Sequence, residues 1–259
     1  MQRRLWVAEQ LSGSSAAYGM PLALRLQGPL QVEVLRNSLN ALAQRHEVLR
    51  TAYVQDDEGD PLALIADRIE VDIALDDWSG FSPQEQQRCI AEATLANAST
   101  PIAMEHAPLL RCRLARLADQ EHVLFFAMHH IISDGWSMGV LVRDLVEIYR
   151  HSAPGQTHLL APLPLQYSDF ALWQQALEQA GELQRQASYW QQALAGHTGR
   201  LELPLEQPRS EQASHAGGAV DFSLSPALTD ALGQFAAKAG VTLYLSLIHI
   251  SEPTRPERI

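Results

Sequence analysis

Apolar and polar positions follow two rhythms along this chain, one with a period of two and one with a period of three to four. Residues 22–27 (Leu-Ala-Leu-Arg-Leu-Gln) alternate as a half-buried strand does and stop at Gly28-Pro29. Val32, Leu35, Leu39 and Leu42 then recur at three and four, which predicts a helix. Residues 48–54 and 62–66 read as a strand pair around the acidic turn Asp56-Asp57-Glu58-Gly59-Asp60-Pro61. A further strand is expected over 69–75. Ser82-Pro83, with Glu85 three after the serine, is a helix-start signature, and a helix to about Asn97 follows from it. Leu110, Cys112 and Leu114 alternate with Arg111 and Arg113, as on a half-buried strand.

The next stretch is different. Val123-Leu124-Phe125-Phe126-Ala127-Met128 is apolar at every position, the pattern of a strand covered on both faces. After Gly135, residues Met138, Leu141, Val142, Leu145, Ile148 and Tyr149 fall on one helical stripe that ends near Arg150. Residues 152–166 are broken by prolines and read as a loop. Helices are expected at about 167–178 and 182–195, and a strand at 219–224 leads into a helix at 226–239. Strands interleaved with helices, without a solenoid repeat, predict an α/β or α+β fold.

Composition narrows the function. The chain has 259 residues, 46% of them apolar, enough for one large domain or two small ones. Its net charge is −11, and Lys238 is the only lysine. An acidic chain with no basic run is a poor match to a phosphate backbone or an anionic membrane, so neither nucleic acid nor membrane is expected as a partner. Cys89 and Cys112 are too few for a disulfide scaffold. With no signal-peptide core near Met1 and no run of about 18 apolar residues, a cytoplasmic location is expected.

The chemical signal is His129-His130-Ile131-Ile132-Ser133-Asp134-Gly135. Composition alone would produce His-His-x-x-x-Asp-Gly in such a chain about once in a thousand. The histidines stand where the fully apolar strand gives way to a loop and a helix, a position where sheet-based enzymes place reactive groups. Successive strand residues face opposite ways, so one histidine is expected to be reactive and the other structural. Asp134 can fix the loop by pairing with an arginine, Arg45 or Arg50. Gly135 permits an unusual backbone angle and close ligand approach. Read blandly, the same residues are two satisfied histidines and an ordinary turn. Other chemistries fit less well. His46-Glu47 begins like a zincin helix, but Arg50 stands where the second histidine belongs, so no metal is expected. Neither a Gly-x-Ser-x-Gly elbow nor a phosphate-cradling loop occurs.

Four stretches together resemble the condensation domain of nonribosomal peptide synthetases. Met128–Ser137 (MHHIISDGWS) resembles the family's core motif. Gln2-Arg3-Arg4-Leu5-Trp6 is similar to its opening motif, with Met1 where alanine is usual. Arg45–Thr51 (RHEVLRT) is similar to the second motif and Tyr167–Gln174 (YSDFALWQ) to the fourth. The resemblance covers about residues 1–244. Ser15–Tyr18 and Ile131–Met138 are most similar to the subtype that joins two L-configured residues.

The resemblance implies a chloramphenicol acetyltransferase-like fold of two lobes. Residues 1–175 would form the N-terminal lobe and 176–244 the start of the second. The family's later motifs are not found, so a truncated domain is expected. Residues 245–259 (LSLIHISEPTRPERI) resemble translated sequencing-adapter read-through and are expected to be a non-native or disordered tail. The implied activity is attack of a carrier-bound aminoacyl amine on a carrier-bound acyl thioester. His130 would face the tunnel and take or hold the amine proton. His129 would orient the loop, Asp134 would be structural, and a backbone N–H near Gly135 would help an oxyanion. No cofactor would be bound covalently. The substrates would ride on 4′-phosphopantetheine arms of carrier domains in the same or a neighbouring synthetase. Alternatives are an epimerisation domain or coenzyme A-dependent acyltransferase of the same fold, an inactive fragment or interaction module, and a plain binding module.

Overall fold

The computed structural model of the chain describes residues 2–12, 16–151, 160–197 and 222–243. They divide into two compact units, residues 1–202 and 203–259. In the first unit, helix α1 (Gln2–Ser12) precedes strand β1 (Gly19–Gln27), helix α2 (Val32–Arg45), a 3₁₀ turn (Glu47–Arg50) and the strands β2 (Thr51–Gln55) and β3 (Pro61–Ile65). Strand β4 (Ile73–Asp77), helix α3 (Pro83–Ser99), strands β5 (Leu110–Ala118) and β6 (Glu121–His129), and helices α4 (Gly135–His151), α5 (Tyr167–Gln179) and α6 (Glu182–Ala193) complete it. In the second unit only α7 (Pro226–Ala239) is described as regular structure.

The main sheet has the order β1-β6-β5-β4, antiparallel except for the β4–β5 pair, and β2–β3 form a separate hairpin. β6 is the central strand on which the site depends, and it is sheathed on both faces. Leu124, Phe126 and Met128 enter the larger core, with Leu35, Leu39 and Leu42 of α2 and Leu141 and Ile148 of α4. Val123 and Phe125 point the other way, into a smaller core with Trp78 and with Ala93 of α3. This is why every position from Val123 to Met128 is apolar: neither face meets water there.

The helix starts follow local chemistry. The Ser82 hydroxyl accepts from the Glu85 N–H and the Glu85 carboxylate reaches back to Ser82, the capping box expected from the sequence. Three expectations shift. The strand expected over 69–75 pairs only from Ile73, because the Val71 N–H is taken by the Asn40 side chain at 2.7 Å before the ladder begins. Helix α1 was not anticipated; among its residues with described side chains only Trp6 and Glu9 are buried, which leaves little periodicity to read. Of the strand expected over 219–224, residues 222–224 are not strand and the rest lies outside the described residues, as does the tail at 245–259. Among the described residues no helix is long and apolar enough to cross a membrane.

Candidate active site

β6 pairs with β1 up to Gly19 opposite His129, and its ladder stops there. The two histidines therefore fall on either side of a boundary. His129 is still strand and 1% exposed, while His130 opens the turn and is exposed. Its backbone N–H donates to the Tyr18 carbonyl at 2.7 Å, which anchors the turn to the start of β1.

Each ring has a defined proton arrangement. The Ile131 N–H donates to His129 Nδ1 at 3.0 Å, so this nitrogen is an acceptor and the ring is neutral. Burial, reinforced by the neighbouring His130, holds the His129 pKa down to about 4. His129 thus braces the loop from inside. His130 is the opposite case. Its Nδ1 lies 2.8 Å from the Ser133 carbonyl, which can only accept, so Nδ1 carries the hydrogen. In the neutral ring Nε2 is then the lone-pair nitrogen.

His130 lines a cavity of about 610 Å³ that also receives Gln2, Arg4, Tyr18, His46, Trp136 and Tyr167. Gln2 of the opening motif donates to the Ile131 carbonyl at 3.0 Å and to the Tyr53 hydroxyl. The first and third motifs are thereby joined at the cavity wall.

Asp134 is not held by an arginine, contrary to the sequence expectation. Its carboxylate accepts from the Ser137 N–H at 2.8 Å and the Ser137 hydroxyl at 2.6 Å, so it is the N-cap of α4. The Ser137 hydroxyl and N–H hold its pKa down against the opposing effect of burial. The two candidate arginines are engaged elsewhere. Arg50 donates to the Ala66 carbonyl and pairs with Glu47 at 3.5 Å. Arg45 pairs with Asp144 of α4 at 3.1 Å and donates to the Ala161 carbonyl at 2.6 Å. Asp144 is buried and also accepts from His46 at 3.0 Å. Burial would raise the Asp144 pKa, but hydrogen bonds from Arg45, His46 and Arg143 bring it down overall. For His46 burial dominates and lowers the pKa, although Asp144 opposes that shift.

Gly135 is also corrected. It is the first residue of α4, has no positive φ, and a Cβ there would meet open space. An unusual backbone angle is not what the position requires.

Sequence reasoning missed Gln166. Its amide donates to the Arg45 carbonyl at 3.0 Å and accepts from the Glu47 N–H at 3.2 Å, while Ser168 donates to the Glu47 carboxylate at 3.0 Å. The fourth motif is clamped onto the second by these bonds. Asp169, three residues after Gln166, was the readable signal: it closes a capping box at the start of α5. Among the described residues no cluster of side chains could hold a metal ion.

The fold and the ordered motifs define a condensation domain: the family model of that description matches residues 1–250. The chain belongs to the condensation domains of nonribosomal peptide synthetases, a family that forms amide bonds from carrier-bound thioesters. A linear gramicidin synthase of Brevibacillus parabrevis is 37% identical over 247 residues, which are 95% of this chain and 3% of that protein. The crystal structure of the X-domain from teicoplanin biosynthesis is 29% identical, with a TM-score of 0.76 over 93% of this chain and 52% of that one. The first condensation domain of the CDA synthetase, 23% identical, shares the fold with a TM-score of 0.73 over 93% of this chain and 57% of that one. The acetyltransferase-like architecture expected from the motifs is thus the observed one. The chain spans a small part of the synthetase and about half of the solved chains it matches.

Proposed function

We propose that the cavity at His130 is an amide-forming site, and the observation that carries this is the Ser133 carbonyl on His130 Nδ1. That contact leaves Nε2 as the ring's acceptor toward a substrate amine. The α-amine of an acceptor aminoacyl thioester, with an ordinary pKa of about 7.7–8.0, is partly neutral at physiological pH. It attacks the carbonyl carbon of the donor thioester, forming the C–N bond. The C–S bond breaks, the nitrogen proton passes to Nε2, and the departing pantetheine sulfur is protonated in turn. The thioester is already reactive, so alignment supplies much of the rate, on the order of 7 kcal/mol for well-oriented reactants. The Ser137 N–H is spent on Asp134. A backbone N–H near Gly135 is the donor for a developing oxyanion.

The donor and acceptor arrive on phosphopantetheine arms of carrier domains, with residues 1–175 forming the N-terminal lobe that carries the site and residues 176–244 beginning the second. Asp134 acts by capping α4, and His129 by bracing the loop. One observation favours a second reading. The teicoplanin X-domain, which shares this fold, was solved in complex with OxyB, so the architecture also serves for docking in that pathway.

The test is amide formation from acyl- and aminoacyl-loaded carrier proteins, read by mass spectrometry of the product. The chain is expected to form product, and His130→Ala to lose at least about a hundredfold of the rate at an unchanged melting temperature. Asp134→Ala is expected to melt lower, having lost a cap worth about 1 kcal/mol. Equal rates for the chain and His130→Ala would refute the assignment, and absence of product from both would favour the docking reading.

A further inference from the structure

The lip of the cavity is unusually apolar for a surface. Trp136 is 84% exposed, Leu165 71% and Tyr167 38%. They come from the first turn of α4, the segment before α5 and the first residue of α5, and all three line the cavity that holds His130. A tryptophan left this far in water adds little to the packing of the described fold, and its ring is a large apolar contact surface. Its backbone sits in the first turn of α4, which Asp134 caps through Ser137. Two of the cavity's polar groups are engaged, Asp134 by Ser137 and His46 by Asp144, while the Arg4 guanidinium stays at the exposed edge. A ligand group entering past the lip therefore meets mainly indole, aliphatic and phenol surface before it reaches His130.

We infer that Trp136, with Leu165 and Tyr167, is the specificity-determining rim of the site and selects carrier-bound residues with aliphatic or aromatic side chains. This rests on the amide-forming reading of the cavity. A volume of about 610 Å³ lies within the range that encloses small ligands. Loss of the indole removes apolar contact without unfolding the protein, since its side chain is not part of the core. The effect falls on binding preference rather than on proton transfer, because the His130 tautomer is set by Ser133 and not by Trp136.

The experiment titrates the whole chain, by calorimetry, with leucyl, phenylalanyl, seryl and aspartyl conjugates of aminopantetheine, in which a stable amide replaces the thioester. The leucyl and phenylalanyl probes are expected to bind about tenfold more tightly than the seryl and aspartyl probes. Trp136→Ala is expected to shrink that preference to about twofold or less at an unchanged melting temperature, while Trp190→Ala, an exposed tryptophan of α6 away from the cavity, leaves it intact. A preference unchanged in Trp136→Ala, or an aspartyl probe that binds as tightly as the leucyl one, overturns the rim. Failure of all four probes to bind overturns the amide-forming reading itself, and the rim with it.

Discussion

His129 and His130 are neighbours in the chain and live in different dielectrics. One ring is sealed at the end of a covered strand, the other faces a cavity. Burial depresses the His129 pKa to about 4 from an ordinary value of 6.5. The unfolded chain therefore binds a proton at this residue, between those two values, that the folded chain refuses. Stability is unaffected by His129 above pH 6.5 and falls as the pH drops toward 4, by roughly 3 kcal/mol in full. His46 and His122, both lowered chiefly by burial, act in the same direction. Urea unfolding at pH 7 and pH 5 measures the loss. His129→Asn keeps an acceptor for the Ile131 N–H but does not titrate, and is expected to recover roughly 2 kcal/mol of the drop at pH 5; a drop of unchanged size would contradict the account. The difference between the two histidines was only partly legible in the sequence: alternation predicts opposite faces of one strand, whereas the ladder ends at His129 and His130 already lies in the turn. The partner of Asp134 was not, because two arginines and several acids could pair in the fold, and a three-residue cap to Ser137 competes locally with any distant ion pair.

At the scale of elements, α2 and α4 are held together by packing and by one buried carboxylate. Asp144 joins Arg45 and His46 from the end of α2 and the turn after it, and the side chain of Arg45 is itself only 14% exposed. Removing the charge leaves a guanidinium with little water and no counter-ion, which costs about 3 kcal/mol or more. Asp144→Asn is expected to lower the urea midpoint accordingly, and a variant as stable as the original would refute that ledger. The elements that were readable share strong periodicity and clear punctuation: α2, α3, β6 and α4 lie where their patterns placed them. The misplaced ones lack one or the other. The apolar alternation Ile69, Val71, Ile73 marks extended backbone correctly but cannot say where the ladder starts, since pairing depends on Cys112, in a strand 39 residues further on from Ile73.

For the molecule as a whole, the doubly covered strand sets a gradient of local stability. β6 is hydrogen-bonded on both edges and buried on both faces, whereas α6 has no buried residue. Hydrogen exchange followed by mass spectrometry is expected to show the β6 amides exchanging only with global unfolding, and those of α6 exchanging well before it. Comparable protection of the two segments would contradict that order.

The bases facing the cavity are Arg4, His46 and His130, guanidinium and imidazole without a single ammonium. The unit spanning residues 1–202 contains no lysine, and Lys238 lies in the other unit. Thioesters acylate free amines without any enzyme, so a lysine near the cavity would compete with the substrate amine and end as a dead amide on the protein. This cavity offers incoming acyl groups no side-chain amine to be lost to. Guanidinium stays protonated and imidazole forms acyl adducts that water reverses, so the site is chemically quiet toward the thioesters proposed to enter it.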